Sequence, residues 1–454
     1  MKNQFLLSRR RMLSLGCRAV STVGAASAFG HLGRVSALAQ AGGGYKALVC
    51  VFQFGGNDAN NTVVPLSATG YADYQRVRQS LALAPAALVP VTSASNEAYG
   101  LHPSLAPLAP LYTTNRDLAI LLNLGTLVKP LTKTEYRQAN TTTVPRNLFS
   151  HSDQQQQWQN ATPVPGPTSA SGWSGRIADR ILYLNTSPFP PAVAVSGSAL
   201  QLVGQQTKPT TVSADNFGID GSGDSPAAQA RDQALQQLLS FSSGATLVQA
   251  ANRILGDAIS VVKQLEQAAN SAQDFTGRFP QTGLGQQLAQ VARIISIRGL
   301  LGMNRQIFFV SQGGYDTHAN QLGTHAGLLS ELANAMATFY QVMGELGLGD
   351  AVTTFTESEF NRTFQPNGTA GTDHAWGGHS FVLGGAVKGN VYGVMPTLAL
   401  NGPDDSGNRG NWIPTLALDQ YGATLAKWFG VPDVDLPQVF PNIGNFPVKD
   451  LGFL

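Results

Sequence analysis

Seven histidines occur in 454 residues, and four of them fall in two short stretches, "YDTHANQLGTH" (His318, His325) and "TDHAWGGH" (His374, His379). Asp316 and Asp373 stand beside them. "FGGNDAN" adds Asp58, and "TESEFNRT" adds Glu359. Each alone is an ordinary turn or helix-cap residue. Together Asp58, Asp316, His318, His325, Glu359, Asp373, His374 and His379 form a mixed carboxylate and imidazole set. Zn²⁺ or Mn²⁺ accepts such a set more readily than Mg²⁺ or Ca²⁺, which prefer oxygen. The expectation is a shared site for one or two divalent ions, with the choice between His318 and His325 open.

Two further residues bear on chemistry. Ser150 in "NLFSHSDQQQQWQ" precedes a helical pattern, where a hydroxyl and an anionic ester would both face the helix's positive end. Ser152 with Gln155 fits a capping box and leaves Ser150 just outside it. No Gly-x-Ser-x-Gly elbow surrounds Ser150, and His151, its immediate neighbour, is poorly placed to be its base. Arg362 is the cation nearest the carboxylates and is expected to contact an anion or to form a structural ion pair.

These residues need elements that hold them at one place. "YKALVCVFQFGGND", "DLAILLNLGT", "PAVAVSGS", "RQIFFVSQGG", "AVTTFTES" and "HSFVLGGAV" read as buried strands. "LHPSLAPLAPLY", "WSGRIADRILYL" and "THAGLLSELANAMATFYQVMGELGLGD" read as helices between them. The alternation predicts an α/β fold with a large, mostly parallel sheet and helices on both faces. Ligands of such sheets bind beyond the carboxyl ends of the strands, where Asp58, Asp316 and Glu359 fall. Residues 198–302 break the rhythm and read as a helical insertion within a single domain spanning 40–454. Asp215, Asp220 and Asp224 in its polar loop lack calcium-loop spacing and a closing Glu, and read as solvated. "RGNWIPTLALDQYGATLAKWFG" reads as a loop and a structural helix with Asp419 near its start.

The first 39 residues read as a twin-arginine export signal. Arg9 and Arg10 precede an Ala/Gly-rich apolar stretch and the small-residue site "SALAQA". Six of the 29 basic residues and none of the 27 acidic ones lie there, so the remainder carries 23 against 27, a net charge of −4. No basic stripe is left to bind nucleic acid, and no later apolar run is long enough to span a membrane. Of Cys17 and Cys50 only Cys50 follows the signal, so the exported chain has no internal disulfide and depends on its core.

The segments "LVCVFQFGGNDANNTVVP", "GLHPSL", "FSHSDQQQQWQ", "GWSGRIAD", "FVSQGGYDTHANQLGTHAGLL", "TFTESEFNRT", "NGTAGTDHAWGGHSFVLGGAVKG" and "NWIPTLALDQYGATLAKWFGV" resemble, in matching order, the exported bacterial family called domain of unknown function 1501. That family is similar in fold to the alkaline phosphatase and sulfatase superfamily. The resemblance implies one large α/β domain, Asp58 and Asp316 as metal ligands, His318 or His325 beside Asp316, Ser150 as nucleophile, and His374 or His379 as a late ligand. Glu359 takes the place of a ligand Asp, and Phe360 that of a ligand His, which it cannot replace. Two ions about 4 Å apart would clamp a phosphate or sulfate ester. The implied function is metal-dependent hydrolysis of such esters, free or on a surface polymer. The alternative is a non-catalytic periplasmic or cell-surface relative that binds a polymer or another exported protein.

Overall fold

Between Lys46 and Gln53 every side chain is apolar and buried, which suits only an interior strand. The computed structural model describes residues 44–139, 142–163, 170–195, 197–215, 217, 225–241, 245–275 and 277–454. The segment read as an export signal, Asp220 and Asp224 lie outside them. From Lys46 to Leu454 the chain is one compact unit.

Its main sheet contains β1 (Lys46–Gln53), β5 (Leu118–Gly125), β6 (Ala192–Ala194), β7 (Thr210–Thr211), β8 (Arg305–Gln312), β9 (Val352–Glu357), β10 (Gly378–Leu383), β11 (Val391–Tyr392) and β12 (Leu416–Ala417). The strand order is β11-β5-β10-β9-β1-β8-β6-β7, with β12 also on β5. All neighbours are parallel except β10, which runs antiparallel to β5 and β9. The six strands expected from sequence are all present. A second, antiparallel sheet of β2 (Val63–Pro65), β3 (Val89–Thr92) and β4 (Ala98–Leu101) was not expected. Its strands are three or four residues long, too short to show a period.

The helices of eight residues or more among the described residues are α1 (Ala68–Arg78), α2 (His151–Asn160), α3 (Trp173–Ile181), α4 (Pro226–Ser240), α5 (Thr246–Ala269), α6 (Gly283–Ser296), α7 (Gln321–Glu345) and α8 (Leu418–Phe429). On one sheet face Leu48, Phe52, Ile307, Phe309 and Phe355 share a core with Trp173 and Ile177 of α3 and Tyr421 and Phe429 of α8. On the other, Val49, Val51, Phe308 and Val310 are fully buried, with α6 on β8 and α7 on α6. The long segment between β6 and β8 is not helix alone: it gives β7 to the sheet edge and α6 to the cover. No helix among the described residues is long and apolar enough to cross a membrane.

The register sets the site. Gln53 pairs with Gln312 and Phe52 with Glu357, so β1, β8 and β9 finish at one edge of the sheet. The antiparallel β10 starts at that edge. The loops after β1, β8 and β9 and the loop before β10 therefore converge there.

Candidate metal centre

Asp316 is the hub. His318 Nε2 lies 3.0 Å and His374 Nε2 3.2 Å from its Oδ1, and His151 Nε2 lies 3.4 Å from Oδ2. One ligand atom each from His151, Asp316 and His374 falls within 4.8 Å of the others. Three chain segments supply this group: the start of α2, the loop after β8 and the loop before β10. Glycines let backbones touch at this edge: a Cβ on Gly371, in the loop before β10, would stand 2.2 Å from the His318 carbonyl carbon. Gly55 has φ +118°, and a Cβ there would stand 2.3 Å from the backbone nitrogen of Asp316.

The outer nitrogen of every ring is tied. His374 Nδ1–H donates to the Phe149 carbonyl at 2.7 Å. His151 Nδ1 pairs with Glu359 Oε1 at 2.9 Å, and His318 Nδ1 with Asp373 Oδ1 at 3.1 Å. Carboxylate and carbonyl oxygens accept, so each outer nitrogen carries a proton and a neutral ring turns its Nε2 lone pair inward. The inner atoms then form a cluster of acceptors. His318 Nε2 and His374 Nε2 are 3.1 Å apart, and His151 Nε2 is buried with no hydrogen-bond partner. A proton, a donated hydrogen bond or a metal ion among them removes that repulsion. Ligand spacings of 3.2 and 3.4 Å suit a shell with bonds of about 2.0–2.2 Å. The residues fit a divalent ion.

The surroundings tune these groups. Burial and nearby charge hold the His374 imidazole below its usual range, despite its bond to Phe149. The hydrogen bond and charge of Glu359 raise His151 against the opposing effect of burial. Burial pulls the Asp316 carboxyl upward, but Arg362, His318 and His374 together outweigh it and leave the group low. The same contest at Asp373 ends at about 2, set by bonds from Arg409, Asn367 and His318. Phe360 stacks on His374 with centroids 4.6 Å apart and lies 4.9 Å from His151. Where the resemblance implies an imidazole, this chain has an apolar floor beneath two imidazoles.

Other expected residues are placed elsewhere. Asp58 is buried in its own network: Oδ1 accepts the Asn60 N–H at 3.2 Å, and Oδ2 accepts from Arg78 and Gln321. His325 is buried with Nε2 2.8 Å from Asn57 Oδ1, and burial lowers it to about 3. His379 Nδ1 accepts the Asn123 N–H at 3.1 Å, and burial lowers it to about 4. These three are not in the ion group. Glu359 and Asp373 touch it only through His151 and His318. Arg362 is buried and fixes Asp316 Oδ1 at 2.7 Å while also donating to Gly55 and Thr372. Of the two open pairs, His318 and His374 come to the centre.

Ser150, not Ser152, is the N-cap of α2. Its Oγ donates to Asp153 Oδ2 at 2.6 Å and accepts the Asp153 N–H. Gln155 reaches Glu359 instead of closing a capping box. His151 is the residue that sequence reasoning missed. Its signal was there: His151 and Gln155 are four apart on one helix face, and both meet Glu359.

No curated protein sequence matches the chain. Among solved structures it is similar to Ps i-CgsB in complex with k-i-k-neocarrahexaose, at 10% identity and TM-score 0.33, covering 88% of this chain and 77% of that one. A structure of Ps i-CgsB matches at 9% identity and TM-score 0.32, with the same coverage. Likeness at that level bears on neither site nor activity. The family model described as protein of unknown function (DUF1501) matches residues 45–408, and the chain belongs to that family.

Proposed function

We propose that the protein is an exported hydrolase of phosphate or sulfate esters, free or on a surface polymer, working with one divalent ion. The observation that carries the reading is the set of imidazoles whose outer nitrogens are tied while their inner ones face Asp316. His151, Asp316 and His374 would hold the ion, with Zn²⁺ or Mn²⁺ favoured by the imidazole share. Such an ion supplies Lewis-acid charge to an ester oxygen and to a nearby alkoxide. Arg362 keeps Asp316 oriented, and Phe360 excludes water from beneath the rings. Ser150 stands next to His151 at the positive end of α2 and is the nucleophile in this reading. Asp153, held low first by its bond from Ser150, is a weak acceptor for the hydroxyl proton.

Elemental analysis of the folded chain, with aryl phosphate and aryl sulfate assays, tests this. One ion per chain is expected, lost in His151→Ala and His374→Ala. Ser150→Ala should keep the ion and lose turnover. Turnover retained in Ser150→Ala would reduce Ser150 to a helix cap. No ion after incubation with Zn²⁺, Mn²⁺ and Ca²⁺ would end the hydrolase reading.

A second reading, a non-catalytic binding protein, draws on Asp58 and Phe360. Arg78 and Gln321 occupy the carboxylate of one, and the other has no ligand atom. It expects an ion that raises stability by mass action and no turnover of any ester.

A further inference from the structure

We propose that Glu359 is a positioning residue that acts through His151 and is not itself a ligand. The inference rests on the metal centre proposed above and deepens it. Glu359 is fully buried, and its Oε1 gathers three donors: the Gly55 N–H at 2.8 Å, Gln155 Nε2 at 2.9 Å and His151 Nδ1 at 2.9 Å. The donors come from the loop after β1 and from two residues one turn apart on α2, while Glu359 itself follows β9. One oxygen therefore locks three segments together at the edge where Asp316 emerges. With that oxygen accepting, His151 must carry its ring proton on Nδ1 and offer Nε2 to the ion. The ring cannot swing away, because Phe360 and His374 lie 4.9 and 4.4 Å from it, centroid to centroid. Glu359 Oε2 is buried without a hydrogen-bond partner. The acceptor that matters is thus one that a glutamine can also provide.

Co²⁺ titration of the metal-free full-length chain, followed by visible absorption, tests this without relying on activity. E359Q should bind one Co²⁺ with the wild-type band positions and near wild-type affinity, whereas E359L should bind about 10- to 100-fold more weakly, the usual loss on removing an outer-shell partner. H151A should change the band positions and intensity, because a ligand is gone. Q155A removes one anchor without altering charge and should weaken binding a few-fold with unchanged bands. It serves if circular dichroism shows E359L unfolded. An E359Q spectrum altered as in H151A would make Glu359 a ligand and overturn the proposal. So would E359L or Q155A with wild-type affinity. A wild type that binds no Co²⁺ overturns the centre and this role together. A wild type that binds Co²⁺ but turns over no ester sinks only the hydrolase reading.

Discussion

At the scale of single residues, two glutamates two positions apart have opposite fates. Glu359 leaves the strand and meets three donors. Glu357 ends β9 pointing into the core, beside the Cys50 thiol at 3.5 Å. Burial raises it from its ordinary 4.5 to about 8, only partly offset by bonds from Cys50 and Gln201. The folded state therefore holds a proton that the unfolded chain has released. The stability this contributes is complete below pH 4.5 and is lost as pH rises through 8, at about 1.4 kcal/mol per pH unit inside that window. Glu357→Gln keeps the shape and cannot ionise. The difference in denaturation midpoint between E357Q and wild type should therefore grow in favour of the variant from pH 5 to pH 8. A constant difference over that range would refute the buried, protonated state.

At the scale of elements, α1 and α2 hold the two neighbouring networks. α1 ends in Arg78, whose guanidinium is buried against Asp58 and also donates to Asn61 and to the carbonyls of Thr363 and Phe364. The Asp58 pair joins α1 to the loop after β1, and the two carbonyl bonds join it to the loop after β9. Arg78→Met leaves the Asp58 charge buried and unpaired and should cost about 3–5 kcal/mol in urea denaturation. Adding Asp58→Asn should recover much of the loss, since the stranded charge is gone. If Asp58 were instead an ion ligand, D58N alone would lower ion stoichiometry, and the geometry here predicts that it does not. α2 differs because its first turn carries candidate groups on two sides. Ser150 caps it, and His151 and Gln155 on one face engage Glu359.

At the scale of the whole molecule, a parallel sheet gathers loops that lie far apart in the chain, so that His151, Asp316 and His374 meet at one edge. Export in the folded state would suit such a centre, since an ion could be loaded first. Changing Arg9 and Arg10 to Lys should block export, leaving the uncleaved chain on the cytoplasmic side in fractionation and immunoblotting. Unchanged export would remove the twin-arginine reading. Much of the fold was legible in the residues. Continuous apolar runs such as "ALVCVF" and "QIFFV" can be satisfied only by strands buried on both faces, and their alternation with amphipathic helices requires parallel crossovers. The polar residues at the strand ends were legible for the same reason. Which of them meet was not, because sequence order says nothing about partners. Asp58 looks like a ligand until α1 delivers Arg78 and α7 delivers Gln321. His379 looks like its neighbour His374, yet it lies at the second position of β10 and turns into the buried sheet, whereas His374 stays in the loop. The sequence by itself determined six strands of the main sheet, the helices between them and a pool of imidazoles and carboxylates, since these follow from local pattern and composition. Only the tertiary structure chose Asp316 and His374 from that pool and added His151 to them, because burial and the partner of each outer nitrogen depend on residues hundreds of positions away.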